Sequence, residues 1–147
     1  MNDFSDNNNP HQEDNMERFR YLSQAWIDEA AGRLRAELTP DKMKHVTSSM
    51  LTVYKNCPDG RERAVYYKFV DGALDKLSVE EGELPEVEFR IVGDYETFAK
   101  ISRAEIGSRG ALMSGKLVLK GNMVKALSLS AVVDRMNKVL ATIPTEY

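Results

Sequence analysis

The sequence has few of the residues that build covalent, metal or nucleic-acid sites. A single cysteine, Cys57, among 147 residues excludes an intrachain disulfide, which fits a reducing compartment. The two histidines, His11 and His45, stand far apart, so no metal site is predicted. A net charge of −3 gives no basic excess, and nucleic acid is not an expected partner.

Long apolar runs are missing as well. No stretch approaches the roughly 18 to 20 residues of a membrane-spanning helix, so we expect no transmembrane segment. The N-terminus has no apolar core preceded by basic residues, which argues against a signal peptide and favours a cytoplasmic protein. Hydrophobic residues still make up 42% of the chain, enough for the core of one domain of this length.

The first fifteen residues differ in composition from the rest. Residues 1–15 carry four acidic side chains, no Lys or Arg, and one large apolar residue, Phe4. Such a segment buries too little apolar surface to offset its ordering entropy. We therefore predict a disordered acidic tail over 1–15 and a single domain over 16–147.

An apolar stripe with helical spacing opens that domain. Large apolar residues recur every three or four positions between Met16 and Leu38, which predicts an N-terminal helix over 16–38. Two roles are open for this helix. It packs on the core of its own domain, or it uses Trp26, a large anchor of the type found at interfaces, as a lid or as the contact of a homodimer.

The rest of the domain consists of grouped strands followed by helices. β-Branched and hydroxylated residues predict a strand over His45–Tyr54, and the Asp71-Gly72 hairpin signal predicts that Ala73–Val79 returns beside Arg63–Val70. Alternating apolar and polar residues predict strands over Arg63–Val70, Val87–Ile91 and Lys116–Lys120. Helical spacing predicts helices from Asp94, over Ser108–Met113, and from Met123 to Ala141. Grouped strands with segregated helices indicate an α+β fold, in which helices cover one face of a five-stranded sheet.

The stretch Met113–Met123, MSGKLVLKGNM, is the most informative local pattern. A short alternating strand lies between a Gly-Lys pair and a Gly-Asn turn, and an apolar-striped helix follows at once. Here the chain resembles the sterol carrier protein type 2 family, over roughly residues 43–140. The matching positions are Gly115-Lys116-Leu117, Gly121-Asn122-Met123, Ala126 and Leu129, whereas Val124 and Lys125 depart from the family pattern.

The resemblance implies an apolar tunnel enclosed between the sheet and its helices. Its expected ligands are sterols, fatty acyl chains or other lipids, and it implies neither catalytic residues nor a cofactor. Leu127 is expected to face Leu117 and Leu119 across the tunnel. The candidate lipid-binding residues combine the inward apolar positions of the strands with apolar positions of the helices. They are Val65, Tyr67, Phe69, Phe89, Ile91, Phe98, Leu112, Met113, Leu117, Leu119, Met123 and Leu127.

Three functions fit this pattern. The first is binding and transfer of lipids without chemistry, in which Lys116 and Lys120 are either simply solvated or support transient contact with anionic membranes. The second is a structural or dimerisation module whose groove is already filled. The third is an accessory factor that presents a hydrophobic substrate to a partner enzyme. No constellation of acid, base and nucleophile is visible, so an enzyme acting alone is not expected.

Overall fold

The computed structural model describes residues 18–147, and the predicted acidic tail over 1–15 lies outside the described residues. The strands are β1 (Phe19–Arg20), β2 (Ser48–Lys55), β3 (Arg63–Val70), β4 (Ala73–Glu80), β5 (Phe89–Asp94), β6 (Leu117–Gly121) and β7 (Thr145–Glu146). The helices are α1 (Gln24–Glu37), α2 (Tyr95–Ser102), α3 (Ser108–Met113), α4 (Met123–Ser128) and α5 (Ser130–Leu140).

Strands β2 to β6 form one mixed sheet in the order β4-β3-β2-β5-β6. Neighbouring strands are antiparallel except β2 and β5, which run parallel. The β3–β4 hairpin turns at Asp71 and Gly72, whose φ angles of 48° and 83° are those that an Asp-Gly pair favours. This arrangement confirms the predicted α+β class and its five-stranded sheet.

The two faces of the sheet are buried in different ways. The face under the helices carries the main core, whereas Leu51, Val53 and Ala64 form a smaller cluster on the other face. Val87 packs against this second cluster, although its spacing from Phe89 predicts that both share a face. The chain bends at Glu88, so the alternation starts afresh when β5 begins at Phe89.

The N-terminal helix is shorter than the predicted 16–38. Within the described residues it begins at Gln24, because Ser23 Oγ accepts a hydrogen bond from Trp26 N at 3.1 Å and caps the helix. The preceding residues of β1 pair instead with β7, which lies near the other end of the chain. A helical stripe cannot reveal this pairing, since its partner is more than a hundred residues away in sequence.

Trp26 is a core residue of its own chain. Its side chain is 1% exposed, and its Nε1 donates a hydrogen bond to Thr145 Oγ1 at 3.0 Å. The ring also meets Tyr21 edge to face, with 5.0 Å between the ring centroids. Because the indole is fully occupied here, it offers no anchor for a homodimer through α1.

The closing helix, predicted as one segment from Met123 to Ala141, is divided at Leu129. Asn122 Oδ1 accepts from Lys125 N at 3.0 Å and caps α4, and α5 begins at Ser130. Ser128 Oγ donates to the Lys125 carbonyl at 2.7 Å, which is the kind of side-chain bond that competes with continuous helix. The division makes α4 a separate short helix that follows β6 directly.

Candidate functional site

An apolar recess of about 330 Å³ lies between the edge of the sheet and the C-terminal helices. Strands β5 and β6 form its floor, while α3, α4 and α5 form its walls. Four polar side chains reach it, and the remaining lining is apolar. The lining residues are Phe89, Ile91, Ser108, Arg109, Leu112, Met113, Leu117, Leu119, Ala126, Leu127, Ser130, Val133 and Asp134.

The local fold explains why these apolar side chains meet. In the β5–β6 ladder, Ile91 pairs with Leu119 and Gly93 with Leu117, so alternation presents both leucines to the helices. Position 93 requires glycine, because a Cβ there would lie 2.4 Å from Leu117 Cδ2. The Leu117 side chain, which faces the recess, fills the space that a larger residue at position 93 would need.

The mouth of the recess is rimmed by large exposed apolar side chains. Met113 at the end of α3 is 83% exposed, and Leu127 on α4 is 67% exposed. Both nevertheless line the recess. A surface of this kind leaves substantial apolar area in water, and such areas mark sites of contact with a ligand or a partner.

Two smaller cavities adjoin the recess beneath the helices. A cavity of about 50 Å³ shares Ile91, Leu117 and Val133 with the recess. A second, of about 20 Å³, shares Phe89 and Val133 with it. Val133 lines the recess and both cavities, so its side chain lies where the three spaces meet. The helix-covered face of the sheet therefore contains a row of adjoining voids.

The inner face of β2 adds hydroxyl groups to these cavities. Thr52 Oγ1 donates to the Tyr54 hydroxyl at 3.3 Å beside the 50 Å³ cavity. Burial raises the pKa of Tyr54 and, more strongly, those of Tyr21 and Tyr67, so all three phenols stay neutral at physiological pH. Ser48, which lines the 20 Å³ cavity, has a buried Oγ without a hydrogen-bond partner among residues 18–147.

The structure brings most of the twelve sequence-predicted residues to these spaces. Seven line the recess: Phe89, Ile91, Leu112, Met113, Leu117, Leu119 and Leu127. Tyr67 and Phe98 line the 50 Å³ cavity, and Phe69 lines the 20 Å³ cavity.

Two predicted residues lie elsewhere, and one central residue was missed. Val65 is fully buried and lines none of the three spaces. Met123 is 48% exposed at the start of α4, outside the lining. Val133, which lines all three, was not among the candidates, although its helical spacing to Met136 and Leu140 placed it on the apolar stripe of the last helix.

The opposite end of the same sheet face holds a polar recess of similar size. Arg63 lies there in a two-pronged hydrogen bond with Asp59, at 2.6 and 3.0 Å, and this contact holds the pKa of Asp59 well below its usual range. Tyr95 and Tyr147 form the aromatic part of its wall. Because the Arg63 guanidinium is already paired with the Asp59 carboxylate, Arg63 is not available to bind an anionic ligand in this recess.

Metal and membrane features are limited in the described part of the chain. Residues 18–147 contain no group of three or more His, Cys, Asp or Glu side chains that could hold a metal ion. His45 instead lies between Asp41 and Asp71, with ring nitrogens 2.9 and 3.1 Å from their carboxylates. Over the same residues, no helix has the length and hydropathy needed to cross a bilayer.

The architecture is that of the sterol carrier proteins. The crystal structure of a sterol carrier protein 2 superimposes with a TM-score of 0.74 at 22% identity, covering 84% of this chain and 99% of the other. A Thermus thermophilus protein described as a candidate sterol carrier superimposes with a TM-score of 0.70 at 21% identity, covering 86% and 92%. Palmitated sterol carrier protein 2-like 2 from Aedes aegypti gives 0.55 at 21%, covering 76% and 94%.

Sequence comparison assigns the family. The model of the SCP-2 sterol transfer family matches residues 27–134, which is most of the chain, and the protein belongs to that family. The match begins within α1 and ends within α5, so it includes the whole recess. Among curated proteins, no sequence matches this chain significantly.

Proposed function

We propose that this protein binds the hydrocarbon part of a lipid in the recess between β6, α3 and α4, and that it carries the lipid between sites. The observation that supports this most directly is the recess itself, about 330 Å³ with a mainly apolar lining. This volume falls at the lower end of the ~300–1,000 Å³ typical of small-molecule sites. Membership of the SCP-2 sterol transfer family supports the same function.

We further propose that the recess and the two smaller cavities join into one tunnel when a ligand enters. Val133 and Leu117 stand between them, and rotation of such side chains costs little where space is already free on one side. A ligand with a polar group would find at Ser48 a hydroxyl that has no hydrogen-bond partner in the described part of the chain. Binding such a group would satisfy an oxygen that otherwise lacks a hydrogen bond.

The expected affinity follows from the buried hydrocarbon. A chain that buries about 12 methylenes gains roughly 10 kcal/mol. Association and ordering take back at least about 4 kcal/mol. The balance corresponds to a dissociation constant near tens of micromolar. Binding of this kind needs no specific polar contact, so the site should accept more than one lipid class.

We propose no chemistry for this site. Its polar lining residues are Ser108, Arg109, Ser130 and Asp134, and the one close contact among them is 3.5 Å between Ser108 Oγ and Asp134 Oδ1. A serine activated for attack needs a nearby base of suitable pKa, for which histidine is the usual choice. His45 is held by two carboxylates outside the recess. A carrier role uses these residues without requiring such activation.

The test is a titration with a fluorescent fatty acid, chosen because one relative was solved in its palmitated form. We expect saturation at about one ligand per chain. Leu127→Trp should fill the mouth and weaken binding at least about tenfold while the fold is kept, since Leu127 is largely exposed. Val124→Trp is the matched control: it lies on the same helix, is 79% exposed and does not line the recess.

Two results would contradict this function. One is absence of saturable binding by a parent protein whose circular dichroism shows an intact fold. The other is equal loss of binding in the Leu127→Trp and Val124→Trp variants, which would locate the ligand away from the recess. Native mass spectrometry separates the remaining alternatives, because a dimer without lipid indicates the structural module and a monomer with co-purified lipid indicates the carrier.

A further inference from the structure

The charges of this protein are distributed unevenly along the chain. Residues 106–145 contain six Lys or Arg and one acidic residue, Asp134, within a chain whose net charge is −3. This segment includes α3, β6, α4 and α5, which supply most of the recess. Positive charge is therefore concentrated in the part of the molecule that surrounds the proposed lipid site.

These cations are not neutralised by ion pairs in the described part of the chain. Every cation found in an ion pair there precedes residue 106. Within residues 18–147, Arg109, Lys116, Lys120 and Lys125 have no carboxylate oxygen within 4.0 Å. Their charge remains available to an external anion.

Two acidic residues belong to the same part of the fold as these cations. Asp134 lines the recess and accepts from Ser108 Oγ at 3.5 Å. Glu88 adjoins the end of β6, where its carbonyl accepts a hydrogen bond from Asn122 N at 2.8 Å. Four cations against two carboxylates leave a positive balance around the mouth.

Large apolar side chains occupy the same surface. Val124 and Met123 share α4 with Leu127 at spacings of three and four residues, which places the three on neighbouring positions of the helix. Met113 lines the same recess as Leu127. Met113, Met123, Val124 and Leu127 are all exposed, and Val124 is 79% exposed. Apolar side chains surrounded by unpaired cations are the pattern of a surface that enters a membrane interface.

We propose that this surface docks the protein on an anionic lipid bilayer and that lipid enters and leaves the recess while it is docked. The surface, hereafter the docking face, consists of Arg109, Met113, Lys116, Lys120, Met123, Val124, Lys125 and Leu127. The proposal rests on the proposed lipid-binding function. It commits to a bilayer because the apolar rim surrounds the mouth of a recess of ligand size, so a hydrocarbon chain can pass from membrane to protein without crossing water.

The expected electrostatic effect is large enough to measure. Each Lys or Arg near an anionic membrane surface increases binding about fivefold, the equivalent of ~1 kcal/mol. Reversing the charge of two such residues should therefore lower binding at least about 25-fold. The attraction acts within a Debye length, about 10 Å at 0.1 M salt and about 3 Å at 1 M, so it should weaken strongly as salt rises.

The experiment is co-sedimentation of the full chain with phosphatidylcholine vesicles that contain or lack phosphatidylserine. The test variant is Lys116→Glu/Lys125→Glu, and the matched control is Lys55→Glu/Lys68→Glu. The control makes the same change of charge on two exposed lysines of β2 and β3 that have no ion pair in the described residues. We expect only the first pair to lose binding to phosphatidylserine vesicles.

The apolar part of the docking face has its own pair of variants. Val124→Ser should weaken binding to the same vesicles several-fold, because it removes an exposed apolar side chain that would enter the membrane interface. Val70→Ser, at the end of β3, changes a valine that is 44% exposed and lies outside the docking face. It should leave vesicle binding unchanged. A charge-neutral variant, Lys116→Gln/Lys125→Gln, serves if the glutamate pair fails to fold.

A fatty-acid titration without vesicles separates this proposal from the function on which it rests. Lys116, Lys125 and Val124 do not line the recess, so their variants should bind fluorescent fatty acid as the parent does. A parent that binds fatty acid but not phosphatidylserine vesicles overturns the docking proposal alone. Equal binding loss in both lysine pairs also overturns it, because the effect would then come from overall charge. Vesicle binding without fatty-acid binding overturns the proposed function instead.

Discussion

Residues 18–105 and residues 106–145 use charge and apolar surface in opposite ways. The first region carries ion pairs such as Arg63–Asp59, at 2.6 Å, and fully buried side chains such as Trp26 and Leu51. The second leaves its cations unpaired within the described residues and exposes Met113 and Leu127. The comparison indicates that the first region contributes mainly stability, whereas the second keeps its surface available for contact.

The recess lies at the border between these two regions. Its floor includes Phe89 and Ile91 from the first region, and they pair with β6 of the second. The first region therefore supplies part of the floor, and the second supplies the mouth. This division allows side chains at the mouth to change with little effect on the fold, and the following substitutions test it.

The largest expected difference is between truncating Trp26 and truncating Leu127. Trp26→Ala removes a side chain that is 1% exposed and should lower the free energy of unfolding by about 3–5 kcal/mol. Leu127→Ala changes a residue that is 67% exposed and should cost less than about 1 kcal/mol. Urea denaturation of both variants measures the difference. Similar costs at the two positions would show that α4 packs as tightly as the N-terminal core.

A smaller contrast is expected between the two glycines that flank β6. Gly121 has a φ of 101°, and a Cβ there would lie 2.7 Å from Glu88 O, so Gly121→Ala should cost about 2–4 kcal/mol. Gly115 has a φ of 82° with nothing near its Cβ position, so Gly115→Ala should cost only the conformational strain of about 1–2 kcal/mol.

Thermal denaturation of the two glycine variants tests where β6 is fixed. A greater loss at Gly121 shows that β6 is held where it meets the first region, through Glu88 and Phe89. Equal losses of stability would mean that the strain of a left-handed backbone conformation accounts for the cost at both positions. The close approach to Glu88 would then be relieved by a shift of the chain.

The smallest effect concerns the ion pair of His45, which belongs to the first region. Hydrogen bonds to Asp41 and then to Asp71 raise the pKa of His45 above its ordinary value of about 6.5. Because the pKa of His45 is higher in the folded than in the unfolded state, its protonation adds to the free energy of unfolding. This contribution is complete below about pH 6.5, and it is lost as the pH rises through the folded-state pKa.

The melting temperatures of the parent and of His45→Gln measure this linkage. Their difference should be greatest near about pH 5 and should shrink towards about pH 9. The docking-face variant Lys116→Gln is the comparison, since Lys116 has no ion pair in the described residues to lose. A difference for His45→Gln that does not vary with pH would contradict a charged bridge between the two aspartates.

Several features of the site follow from local sequence. The alternation of Leu117 and Leu119, and the Gly121-Asn122 turn that caps α4, both act within a few residues of one another. The Asp71-Gly72 hairpin is equally local. The resemblance to the family, now confirmed over residues 27–134, depended on such short patterns. Their geometry is decided by backbone rules that require no distant partner.

The sequence by itself determined the class of fold, the family and the apolar faces that meet around β6. Only the tertiary structure decided that β1 pairs with β7, that Trp26 is sealed in the core, and that Met113 and Leu127 rim an open recess while Val65 is fully buried. The physical reason is that alternation and helical spacing fix which side of an element is apolar. They do not fix what covers that side, because a packed core and a recess are lined by the same kinds of side chain.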